Sequence, residues 1–141
     1  MMRSATATLC LTIGLSGAVA MLASMPPAGA GMLEKRVQEC GCFGMEREVA
    51  IPSGGRADCV SSSHAIEIDR TSSWANAIGQ SLYYAEQLGK RPRVILFCDD
   101  DTPALCQRHI YRFRQTVEHY GLPIDLAIMD GSTVAAACDV R

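Results

Sequence analysis

RADCVSSSHAIEIDRTSSWANAIGQSLYY, from Arg56 to Tyr84, changes its hydrophobic period once, and that change decides the fold. Arg56–Val60 reads as a short strand. In His64–Asp69, Ala65, Glu67 and Asp69 fall on one side and Ile66 and Ile68 on the other, the period-two pattern of a strand. Beyond Thr71–Ser73, which are good N-cap residues, the period becomes helical. Trp74, Ala77, Ile78, Ser81, Leu82, Ala85 and Leu88 form one apolar stripe, and Gly89 ends the helix.

The flanking segments complete a sheet around this unit. Met32–Gln38 reads as a short helix stopped by Gly41 and Gly44. Glu46–Ile51 alternates polar and apolar, and Pro52–Gly55 is a turn, so this segment forms a hairpin with Arg56–Val60. Lys90–Arg93 reads as a basic loop. Val94–Phe97 (VILF) is a continuous apolar run, as in a strand covered on both faces. Thr102-Pro103 opens a second long helix that runs to about Tyr120, with Leu105, Ile110, Phe113 and Val117 facing inward and Gly121 as its stop. Ile124–Met129 is the last strand. The expected order is β-β-β-α-β-α-β, an α/β domain with a mixed sheet and helices on both faces.

The N-terminus reads as a leader. Arg3 precedes the apolar Leu9–Ala23, and Ala28-Gly29-Ala30 offers small residues for cleavage, so residues 1–30 are expected to be a signal peptide and 31–141 one domain. The expected location is periplasmic or secreted, with no stable membrane association after cleavage. The leader contains one base and no acid, so 13 basic and 15 acidic residues become 12 and 15, a net charge of −3. That balance excludes a broad electrostatic footprint for nucleic acid and leaves only a local patch. Six cysteines remain after cleavage: Cys40, Cys42, Cys59, Cys98, Cys106 and Cys138. An even number in an exported domain points to disulfides. Cys98 with Cys106 is the simplest local pair, and Cys40 or Cys42 with Cys59 ties the N-terminal segment to the second strand. Cys40-Gly41-Cys42 is too tightly spaced for a zinc knuckle.

Asp58 and Glu67 lie on strands expected to be neighbours, where two carboxylates and a backbone carbonyl suit Mg²⁺ or Mn²⁺. Spacing alone favours two solvated acids on an open sheet face. Gln80 and Tyr84 lie on the helix flank that begins at Ser73, at the rim of the apolar stripe. There they can position a phosphate or a metal-bound water, or satisfy buried polar groups.

Glu48, Asp58, Glu67-Ile68-Asp69, Gln80 and Tyr84, in β-β-α order, together resemble the PD-(D/E)XK superfamily of restriction-endonuclease-like nucleases. HAIEID…W…AIGQSLYYA is also similar to small exported bacterial proteins of that group. The resemblance covers about Glu46–Phe97. It implies a restriction-endonuclease-like sheet, Mg or Mn at Asp58, Glu67 and Asp69, and phosphodiester hydrolysis on nucleic acid, with Glu48, Asp58, Glu67, Gln80 and Tyr84 at the site. The sequence departs from the pattern where the superfamily's lysine, two residues after the glutamate, is Asp69. Ser73 marks the helix spot to which that lysine can be displaced, and Arg70 is the nearest cation. Arginine holds its proton too tightly to act as a base but can stabilise charge on a phosphate. The departure touches catalysis more than metal binding, so the alternative is a catalytically inactive periplasmic binding or interaction module on the same fold. His64 reads as a loop histidine, Asp99–Asp101 as a solvated cluster at a helix start, and Arg108, Arg112 and Arg114 with Lys90, Arg91 and Arg93 as a solvated basic surface.

Overall fold

A computed structural model of the chain describes residues 30–98 and 102–130, with side-chain burial from Glu34 onward. Residues 1–29 of the expected leader, Asp99–Asp101 and Cys138 lie outside the described residues. The elements are α1 (Ala30–Gly41), β1 (Glu46–Ala50), β2 (Arg56–Val60), β3 (His64–Arg70), a single 3₁₀ turn (Thr71–Ser73), α2 (Trp74–Leu88), β4 (Arg91–Phe97), α3 (Pro103–Tyr120) and β5 (Asp125–Met129). One five-stranded sheet holds the strands in chain order, β1-β2-β3-β4-β5. The first three strands are antiparallel, and β4 and β5 add in parallel.

The period-two pattern of β3 sorts its residues between two layers. Ile66 and Ile68 join Cys59, Ile95 and Phe97 beneath Val37 of α1. On the opposite face Val94 and Leu96 pack with Ala77 of α2 and Phe113 of α3. Helices thus cover both faces. α1 approaches the sheet closely, because a Cβ on Gly41 would lie 3.1 Å from Ile95 Cδ1. Both long helices end on glycines in the left-handed region, Gly89 (φ 61°) and Gly121 (φ 60°). α3 begins as its sequence requires, with Thr102 Oγ1 accepting from the Leu105 N–H at 3.3 Å and Pro103 in the first turn.

Four sequence expectations are corrected. α1 runs on through Cys40 to Gly41. The basic segment Lys90–Arg93 is not a loop throughout, because β4 already begins at Arg91. Its partner β3 starts at His64, and the parallel register His64↔Arg91, Ala65↔Pro92 and Ile66↔Arg93 draws the basic residues into the ladder. His64 is correspondingly the first residue of β3 and is buried, not a loop residue. In α3 the buried stripe is Cys106, Ile110 and Phe113, while Leu105 is exposed.

Among the described residues two disulfides fix the ends of elements. Cys42–Cys59 joins the segment after α1 to β2, and Cys98–Cys106 joins the end of β4 to the first turn of α3. Such pairing fits an oxidising compartment. Among the described residues no helix is long and apolar enough to cross a membrane.

Candidate functional site

β2 and β3 pair over two registered positions only, Cys59↔Ile66 and Val60↔Ala65. One step further Asp58 stands opposite Glu67. There the Asp58 carboxylate enters the ladder itself, its Oδ2 accepting the Ile68 N–H at 2.7 Å. Its Oδ1 accepts from Gln38 Nε2 of α1 at 3.3 Å, and the same amide reaches Glu48 Oε1 on β1 at 2.5 Å. Glu48 falls between the pairs Arg47↔Cys59 and Val49↔Ala57, with φ at 52°. A left-handed backbone at a glutamate is a strained conformation. It occurs where the strand presents this carboxylate to Gln38.

Glu67 is the least accommodated acid. Its side chain is buried, with 7% of the residue exposed, and it has no hydrogen-bond partner among the described residues. Burial, followed by the negative charges of Asp58, Asp69, Glu34 and Glu48, pushes its carboxyl up to about 8. Asp58 is raised to about 6, first by burial and then by Glu48, Glu34 and Asp69, against the opposing Ile68 N–H. Asp69 is raised as well, chiefly by burial. Hydrogen bonds from the Arg70 N–H at 2.7 Å and from Ser73, together with the Arg70 charge, oppose the shift. Five carboxylates therefore influence one another at the seam of α1, β1, β2 and β3, and Arg70 is the only cation among the principal influences on these three acids.

The structure brings together Glu48, Asp58, Glu67 and Asp69, with Arg70 adjoining. Gln80 and Tyr84 lie elsewhere along α2. Gln80 is exposed rather than at the rim of the core, and its Nε2 lies 3.4 Å from Tyr84 Oη. Both line an open groove whose walls include neither Asp58 nor Glu67. Glu34 and Gln38 were not legible as site residues from the sequence. They stand one helical turn apart on α1, and that i, i+4 spacing was the available signal.

Carboxylate oxygens are hard donors, the ligand type that Mg²⁺ and Mn²⁺ take. Among the described residues no three His, Cys, Asp or Glu side chains are already gathered as a metal cage. Asp58 and Asp69 are turned instead toward the N–H groups of Ile68 and Arg70.

A mixed α/β protein with a buried acidic seam is the class that fold and site define. No family model matches the chain, and neither the curated proteins nor the solved structures give a match.

Proposed function

We propose that the acidic seam is a Mg²⁺ or Mn²⁺ site, built from Asp58 and Glu67 with Asp69 as a further ligand, in an exported metal-dependent phosphodiester hydrolase acting on nucleic acid. The observation that carries this reading is Glu67, a buried carboxyl without a hydrogen-bond partner among the described residues, surrounded by other acids. A buried group so placed is costly unless something compensates it. A divalent cation would compensate all of these carboxylates at once. Bound there, it would polarise a phosphodiester and lower the pKa of a water. Gln38 would hold Asp58 and Glu48 in register, the Ile68 N–H would fix the Asp58 rotamer, and Arg70 would stabilise charge on the phosphate.

A second reading is favoured by the Asp69–Ser73 pair. Neither of the two places where a lysine would serve as proton acceptor carries one, and these residues bond each other. The alternative is a non-catalytic binding module that keeps the cation site. Calorimetry with Mn²⁺ and Mg²⁺ on the oxidised protein, beside Asp58→Ala and Glu67→Ala, tests the site. Stoichiometric binding lost in both folded variants supports it, and no binding by folded wild type rejects it. Hydrolysis of single- and double-stranded substrates with the bound metal then separates enzyme from module.

A further inference from the structure

α2 carries a glycine that its fold does not require. Gly79 lies in the middle of the helix, where glycine is the poorest residue after proline. Its φ is not left-handed, and a Cβ added there would meet nothing within 4 Å. Neither backbone conformation nor packing among the described residues accounts for it. The bare helix surface at Gly79 lies in a groove of about 550 Å³ shared with Gly54, Asn76, Gln80, Tyr83 and Tyr84. The hairpin tip closes one side of this groove. Tyr83 Oη bonds Ser53 Oγ at 2.5 Å, and the Tyr84 ring lies against Gly55, 3.6 Å from where a Cβ would be. The tyrosine rings sit 6.1 Å apart, tilted by 49°. No charged side chain lines the groove among the described residues.

Aromatic faces, amide donors and acceptors, and a glycine that lets a flat ligand approach the helix suit an uncharged planar polar ring. We infer that this groove holds an unpaired nucleobase, so that the protein takes single-stranded rather than duplex nucleic acid. The inference rests on the reading of the acidic seam as a phosphodiester site, and it names that site's substrate class. Ser73, which bonds Asp69 of the seam, precedes α2 directly. Asn76 enters the groove three residues later, roughly 5 Å along the helix axis. A strand whose phosphate lies at the acids therefore has the groove beside it for a neighbouring base. A base must leave its duplex stack to lie on a tyrosine, which selects the single strand.

The test is fluorescence anisotropy of the oxidised protein in EDTA with a labelled oligothymidylate hexamer and an abasic hexamer carrying the same phosphates. The base-bearing strand is expected to bind on the order of tenfold tighter, as stacking of one base provides. Gly79→Leu is expected to abolish that preference while raising the thermal midpoint, since leucine favours the helix and fills only the groove. Tyr83→Ala is expected to reduce the preference several-fold. Equal behaviour of the two strands, including no binding of either, overturns the inference. So does a full preference in Gly79→Leu, or binding of a neutral oligosaccharide that Gly79→Leu removes while oligothymidylate is ignored. Asp58→Ala separates the two readings, because it should lose Mn²⁺ binding and keep the base preference. Wild type that binds Mn²⁺ without the base preference sinks the groove alone. Wild type with the preference and no Mn²⁺ binding sinks the metal site alone.

Discussion

Asp58 and Asp125 carry the same side chain on strands of the same sheet, and their acidities move in opposite directions. Asp58 is raised to about 6 because it is buried beside other acids. Asp125 is lowered, first by the hydrogen bond from His64 and then by the charges of Arg91 and Arg93. His64 Nε2 lies 2.8 Å from Asp125 Oδ2, its Nδ1 lies 2.8 Å from Ser63 Oγ, and both arginines approach Asp125 at 3.5 Å. That network ties β3, β4 and β5 together and satisfies each of its members. The seam around Asp58 gathers like charges and leaves Glu67 without a hydrogen-bond partner among the described residues. One end of the sheet pairs its acid with cations, and the other gathers acids whose burial and mutual repulsion raise their pKa values.

The sharpest way to break this contrast is through the disulfide beneath the seam. Cys42 follows the turn that Gln38 begins, with Cys42 N–H donating to Gln38 O at 3.0 Å, and Cys59 adjoins Asp58. Replacing both cysteines by alanine should cost about 3 kcal/mol in denaturant unfolding. It should also weaken Mn²⁺ binding while the His64 end stays ordered by NMR. Next in size, Mn²⁺ at a hundred times its Kd should stabilise wild type by about 2.7 kcal/mol at pH 8, and Asp58→Ala not at all, in thermal melts. The Mn²⁺ affinity should rise from pH 6 to 8, as the acids give up protons to the metal.

Glu67→Gln should raise stability at pH 8 by about 1–3 kcal/mol, read by urea titration, because it removes a buried carboxylate's cost. The sign follows from proton uptake. Folded Glu67 holds its proton to about pH 8, whereas the unfolded chain releases it near 4.5. Stability contributed by this group is complete below about 4.5 and falls as pH rises to 8, and the glutamine variant should lose that slope. The smallest effect belongs to Asp125→Asn, a loss of less than about 1 kcal/mol, as expected of a partly exposed pair. Asp125 stabilises above its ordinary value of 3.8, and its contribution fades as pH falls through its lowered value, opposite in slope to Glu67.

The β3–α2 unit was legible because its two periods are local properties of the chain. The Cys98–Cys106 pairing also follows from a local cue, a strand-to-helix corner, whereas the sequence leaves Cys40 and Cys42 equally open as the partner of Cys59, and only the structure selects Cys42. The start of β4 was not legible. Lys-Arg-Pro-Arg has loop composition, and only the neighbouring β3 ladder, 27 residues back at His64↔Arg91, recruits it. The site was half legible. Asp58 and Glu67 advertise themselves as acids on adjacent strands. Gln38 joins them only because α1 is pressed against the sheet at Val37 and Gly41, a contact that no local pattern encodes. Gln80 and Tyr84 were grouped with the acids because one helix flank joins them to Ser73, but a flank extends along the axis, and these two residues face a separate groove.

Strand order equal to chain order has a consequence for how the molecule is made. Each strand pairs with the one before it, so no strand must wait for a later segment to be inserted between existing neighbours. A chain appearing N-terminus first can zip its sheet from one edge, the β1–β2–β3 meander serving as template for β4 and then β5. Assembly of this kind is vectorial, and it leaves the growing edge unpaired only until the next strand arrives.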